Sequence, residues 1–130
     1  MMTLEEAREF FANDKYATVS TGITIDEIGE DYAICSFVTD ERHMAAHGQV
    51  MGGTFFTLAD FAFAVATNAP GKKTYTVSAS INLLSQPKDK KVIADCRKIR
   101  DGRRTCIYET RVTDGAGNLC AVVINNGMHL

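Results

Sequence analysis

The sequence carries no excess of charge of either sign. Fourteen Lys and Arg stand against sixteen Asp and Glu, a formal net charge of −2. A nucleic-acid partner held by bulk electrostatics is thereby excluded. There is no C-x-x-C pair: Cys35, Cys96, Cys106 and Cys120 are scattered, no two within nine residues, each in a strand-like run. They read as small buried hydrophobes of a reduced, cytoplasmic protein. The opening "MMTLEEAREFF" is acidic and has no apolar signal core, which argues against secretion. No linker, repeat or low-complexity segment interrupts the 130 residues, a length that suits one domain spanning 1–130. One absence is local. Between His43 and Gly71 the only charged side chain is Asp60. A membrane span needs about 20 apolar residues, and residues 51–68 also contain Thr54, Thr57, Thr67 and Asn68. A buried helix is the better reading.

What is present orders itself simply. Thr3 and Glu6 form a capping-box pair, and Leu4, Ala7, Phe10 and Phe11 follow at helical spacing, predicting a helix to about Asn13. Thr18–Ile28 and Tyr32–Thr39 read as two strands around "GED". Residues 41–52 read as a loop and 54–68 as a helix that is apolar on nearly every side and must be wrapped by other structure. Pro70 and Gly71 end it. From Thr74 to Leu83 the alternation places Tyr75, Val77, Ala79, Ile81 and Leu83 on one face. Val92–Ile99 and Thr105–Val112 form a hairpin around Asp101-Gly102, and Leu119–Asn125 is a last strand. The fold class is therefore α+β, an antiparallel sheet with one long buried helix. One sheet and one helix leave apolar material uncovered, so self-association is expected.

Asp60 demands a reason. Asp is unfavourable inside a helix by up to about 0.7 kcal/mol relative to Ala, and a charged carboxylate buried without partners costs far more. No cation in its own helix can pair with it. Either a local hydrogen bond holds it, or it opens onto an apolar pocket as a general base or nucleophile. Carbonyl chemistry also needs oxyanion donors. Gly52 and Gly53 supply free N–H groups at the positive end of the helix dipole. Gly53 and Asp60 are seven residues apart, about 10 Å along a helix axis, too far for one small carbonyl to touch both. Two antiparallel helices in a symmetric dimer would bring Gly53 of one copy beside Asp60 of the other.

The stretch "HGQVMGGTFFTLADFAFAVATN" resembles the helix-start motif N-x-H-G-x-x-H-G-G-x-x-F-x-L-A-D-x-A-F-A of hotdog-fold thioesterases of the phenylacetate-pathway (PaaI-like) family. The element order agrees over almost the whole chain. The resemblance implies a hotdog fold, a curved antiparallel sheet wrapped around one central helix, and a homodimer or homotetramer. It implies hydrolysis of an acyl-CoA thioester without a metal or redox cofactor, coenzyme A entering only as part of the substrate. Asp60 would attack the thioester or activate water, and the Gly53 N–H would hold the oxyanion. His47, Gly48, Met51, Gly52 and Phe56 would line the substrate site, and Ser78 falls near a strand position where some relatives carry a helper hydroxyl. Two positions depart from the motif: Met51 stands where it has its second His, and Ala45 where it has Asn. Met offers no useful hydrogen bond. The resemblance therefore also admits a non-catalytic module that binds acyl-CoA, and more remotely a hotdog dehydratase.

His43 and His47 are four residues apart in a Gly-containing loop with no carboxylate or Cys nearby, which does not make a metal site. Residues 88–104 carry eight of the fourteen Lys and Arg. They read either as a solvated hairpin or as a landing site for coenzyme A phosphates, with Arg97, Arg103 and Arg104 as the candidates.

Overall fold

The computed structural model describes residues 1–130. Helix α1 (Leu4–Phe11) is followed by a π-helical turn at Tyr16–Ser20, strands β1 (Thr24–Gly29) and β2 (Tyr32–Val38), and a 3-10 turn at Glu41–His43. Then come helix α2 (Gly52–Asn68) and strands β3 (Thr74–Leu83), β4 (Lys91–Asp101), β5 (Thr105–Asp114) and β6 (Leu119–His129). The strands form one antiparallel sheet in the order β1-β2-β4-β5-β6-β3. No helix is long and apolar enough to cross a membrane.

The capping box at α1 forms as read: Thr3 Oγ1 accepts from the Glu6 N–H and Glu6 Oε1 from the Thr3 N–H. The helix stops two residues short of Asn13. Thr18–Ile23 is not strand. The hydroxyl of Thr18 donates to the Asp14 carbonyl and that of Thr21 to the Tyr16 carbonyl. Such bonds give the backbone a local alternative to a sheet ladder, and β1 starts only at Thr24. Helix α2 begins at Gly52, so both glycines belong to its first turn instead of preceding it.

The sheet wraps α2. Phe55, Leu58, Ala59, Phe61, Ala62, Phe63, Val65, Ala66 and Thr67 are buried. Each large apolar side chain removed from water contributes about 1.5–3 kcal/mol. Small residues set the approach distance: a Cβ on Gly127 of β6 would stand 2.7 Å from Phe63 Cζ and 2.9 Å from Cys106 Sγ. The four cysteines are buried and unpaired, as expected. His43 is buried too, its Nδ1 accepting from the Asp40 N–H and its Nε2 against the Thr21 carbonyl at 2.8 Å. It pins the loop and has no nitrogen left for a metal.

The alternation in β3 breaks. Thr76 pairs with Gly127 and Ser78 with Asn126, so Val77 is an extra residue, a bulge. On the helix side lie Thr74 and Thr76 before the bulge and Ala79, Ile81 and Leu83 after it. Tyr75 and Val77 point away and are exposed, contrary to the face read from the sequence. Strand β3 is also a free edge.

The β5–β6 turn is organised by Asp114, a buried side chain. Its carboxylate accepts from the backbone N–H groups of Lys88, Ala116 and Asn118. The Lys88 bond first, then those of Asn118 and Ala116, hold its pKa far below the ordinary 3.8. Its stabilising contribution is complete above 3.8 and is lost as pH falls through the lowered folded value. Asp114→Ala is expected to lower Tm at neutral pH and to flatten the acid limb of the Tm–pH curve; an unchanged acid limb would contradict this. Gly127→Ala is expected to cost about 1–3 kcal/mol by overpacking, read by denaturant unfolding.

Candidate functional site

Where the sheet does not reach, α2 keeps a bare line. Gly53, Phe56, Thr57, Asp60, Ala64 and Asn68 recur at intervals of three and four and are only partly buried or exposed. Asp60 sits at its middle. Its Oδ1 accepts one long hydrogen bond, 3.3 Å, from the Thr76 hydroxyl of β3. No cation pairs with it. Burial pushes its carboxyl above the ordinary 3.8, the Thr76 bond opposes that, and the charge of Asp14 adds to it. The result is a carboxylate that is basic for its type and open on one side.

Beside it lies a cavity of about 300 Å³ between α2 and the π-helical turn, lined by Asp14, Tyr16, Thr57 and Ala64 among others. A second cavity of about 570 Å³ shares Asp14 and Ala64 and continues along the same line past Phe10 to Asn68 and Thr74. Together they make a trough running from Asp60 toward the C-terminal end of α2.

The N-terminal end of α2 is uncapped. Met51 occupies the cap position, provides no side-chain hydrogen bond, and is 55 % exposed. The Gly52 and Gly53 N–H groups have no acceptor within the chain. The two glycines differ in kind. A Cβ on Gly52 would stand 2.6 Å from Leu83 Cδ1, so the end of that exposed side chain packs into the space the glycine leaves. A Cβ on Gly53 would meet only the Met51 methyl at 3.4 Å. Nothing in this chain requires that opening; it faces outward. Gly48, at φ +89°, and exposed His47 lie in the preceding loop. That loop is held by the Met44–Val50 bridge and by two hydrogen bonds between Val50 and the Gln86 amide.

Other candidates lie elsewhere. Ser78 is on the outer face, where it accepts from Asn126 Nδ2, and the hydroxyl beside Asp60 is Thr76. The bulge explains the exchange: an extra residue hides from an alternation count which of two nearby hydroxyls turns inward. Arg97 is committed to Asp95 and stacks on the Tyr32 ring at 4.2 Å. Arg103 and Arg104 lie in the β4–β5 turn, where the Arg104 carbonyl accepts from the N–H of His129, the residue paired with Thr74. Thr74 in turn bonds Asn68 at the last turn of α2. Within one chain these arginines therefore stand at the opposite end of a helix about 25 Å long from Gly53.

This arrangement has counterparts. The thioesterase superfamily profile matches residues 47–121, from the loop before α2 into β6. A putative esterase of Archaeoglobus fulgidus is 30% identical over 121 residues, covering 92% of this chain and 78% of that protein. The acyl-coenzyme A thioesterase PaaI of Escherichia coli is 25% identical over 111 residues, covering 85% of this chain and 79% of that protein. A thioesterase of Haemophilus influenzae superposes with a TM-score of 0.90 at 25% identity, covering all of this chain and 92% of the other. With its curved six-stranded sheet closed around α2, this chain is a hotdog-fold, PaaI-like member of the thioesterase superfamily.

Proposed function

We propose that the protein hydrolyses acyl-CoA thioesters in a site shared by two chains, with Asp60 as nucleophile or general base and the Gly53 N–H of the partner copy as oxyanion donor. The observation that carries this reading is the pairing of two unsatisfied groups on one line of α2: a desolvated carboxylate without a cation and an N–H without an acceptor. The 10 Å between them along one helix and the free edge of β3 both support assembly as a homodimer with antiparallel helices. The Gly53 N–H and the carboxylate then converge from different chains.

As general base, Asp60 takes a proton from water while the water oxygen bonds to the thioester carbon. The carbonyl oxygen becomes an anion held by the Gly53 N–H and the helix dipole. Collapse breaks the C–S bond, and the thiolate of coenzyme A recovers the proton from Asp60. As nucleophile, the carboxylate oxygen itself bonds to that carbon, the thiolate leaves, and water then hydrolyses the mixed anhydride. Either route uses the raised basicity of Asp60. The Thr76 hydroxyl holds one carboxylate oxygen and leaves the other free. The acyl group is directed into the trough over Ala64.

The exposed thioether of Met51, where the motif has His, favours a second reading: a module that binds acyl-CoA and does not turn it over. Thiol release from a panel of aliphatic and aromatic acyl-CoAs separates the two. Wild-type hydrolysis is expected, with kcat lowered about 10²–10⁴-fold in Asp60→Asn. Full activity in that variant would refute the role of Asp60, and tight binding without turnover of any ester would establish the binding module. Because the folded pKa of Asp60 is raised, the native state holds its proton more tightly than the unfolded chain, and stability falls as pH rises through that window. Asp60→Asn is therefore expected to keep or raise Tm at neutral pH while activity is lost. Met51→His places a donor beside Gly53 and is expected to raise kcat/KM about tenfold; an unchanged or lower value would mean that Met51 is already suited to the substrate.

A further inference from the structure

At the end of the sheet beside the last turn of α2, three strands bring together side chains of three ligand types. Asp101 closes β4, Cys106, the second residue of β5, lies directly opposite it, and His129 ends β6 opposite Thr74. An Asp101 oxygen, Cys106 Sγ and a His129 ring nitrogen all lie within 4.8 Å of one another. Cys106 is buried, and the His129 side chain is 10% exposed. We propose that Asp101, Cys106 and His129 form a zinc site that ties the β4–β5 hairpin to the end of β6.

The hydrogen bonding around His129 carries the argument. Thr74 Oγ1 lies 3.3 Å from the Lys72 carbonyl, to which it donates, and 2.7 Å from His129 Nδ1. In the tautomer that carries Nδ1–H, Thr74 accepts from it while its single hydroxyl proton goes to the Lys72 carbonyl. The other ring nitrogen, Nε2, then presents a lone pair to Asp101 Oδ1 at 2.6 Å. In the other tautomer the Thr74 hydroxyl donates to Nδ1 and Nε2–H donates to Asp101; the tautomer with Nδ1–H is the one that offers Nε2 to a metal ion. An imidazole held at Nδ1 by an outer partner and free at Nε2 is the usual disposition of a metal-ligating His.

The neighbouring thiol completes a set of three donors within 4.8 Å of one another. A nitrogen, oxygen and sulfur donor set suits zinc, with bonds of about 2.0–2.3 Å. Reaching tetrahedral spacing requires Nε2 and Oδ1 to part by less than about 1 Å. On binding, the S–Zn bond forms and the thiol proton leaves to solvent. The thiolate and the Asp101 carboxylate together balance the two charges of the ion. Lys72 Nζ bonds the second Asp101 oxygen at 3.1 Å from a side chain that is 55% exposed, so it can move outward as the ion arrives. The separation of 28 residues between Asp101 and His129 keeps this set invisible to any local motif. Cys35, Cys96 and Cys120 have no place in it.

The test uses the full, untagged, metal-stripped chain with Co²⁺ and Zn²⁺. One Co²⁺ per chain is expected, with a thiolate-to-cobalt charge-transfer band that Zn²⁺ abolishes. Saturating zinc should raise Tm by on the order of 5 °C. Cys106→Ser should remove the band and weaken zinc binding by about 100-fold or more, and Thr74→Val should keep the band but weaken binding about 10–100-fold. Cys120→Ser should leave both unchanged. A wild-type chain with no band and no shift in Tm would overturn the proposal and leave the cluster as a metal-free hydrogen bond between His129 and Asp101. A band that persists in Cys106→Ser would overturn it as well. Should Cys106→Ser fail to fold, His129→Asn provides the same reading. None of these measurements depends on thioester hydrolysis.

Discussion

Everything in this fold depends on wrapping a helix that has almost no polar side. Helix α2 cannot stand in water, and a single sheet can cover it only by curving around it. Covering requires close approach, and close approach explains where small residues fall. Ala59, Ala62 and Ala66 are buried along α2, and Gly127 on β6 leaves room for the Phe63 ring and the Cys106 thiol. Gly52 does the same for Leu83 at the other end. A packed interior tolerates neither an added methylene nor an omitted one, so the sheet and the helix fix each other's position. The bare line is what remains when that fit is complete, since a sheet closed on one side of a helix leaves the opposite side open.

The chemistry proposed for this line is a consequence of the same constraint. A carboxylate placed at random on α2 would be buried and unpaired, or exposed and ordinary. At position 60 it is neither. Burial raises its proton affinity, the bare line leaves it open on one side, and one hydroxyl orients it. That combination opposes stability at neutral pH, because the charged form is desolvated without a cation in return. A group retained against the stability of its own fold is more economically explained by what it does than by what it holds up.

Much of this could be read from the residues. The capping box of α1, the isolation of Asp60, the free N–H groups of the double glycine and the six strands all follow from local patterns, and the structure changes their boundaries by a few residues. What escaped has a common physical character. At the π-helical turn Tyr16–Ser20 the hydroxyls of Thr18 and of the following Thr21 bond backward to carbonyls, and a propensity count reads Thr18, Val19 and Thr21 as strand. The Asp101, Cys106 and His129 grouping exists only through strand register. Arg97, a candidate for phosphate contact by charge alone, is occupied by Asp95 and Tyr32, and no sequence count shows which cations are already paired.

The bulge at Val77 joins these strands of argument. Without it, the face that carries Ala79, Ile81 and Leu83 would continue through Val77 and Tyr75. Asp60 would meet a valine, and His129 would meet a tyrosine where it now bonds the Thr74 hydroxyl. One inserted residue exchanges the faces for half the strand. It turns Thr76 to the carboxylate and Thr74 to the end of α2, and it sends the two large side chains outward. The strand keeps an apolar surface against the first turns of the helix and presents hydroxyls from Asp60 onward. A bulge is often counted as an irregularity of pairing, yet here it decides which atoms the central carboxylate can touch. The polar character of the site is therefore set by backbone register as much as by residue identity.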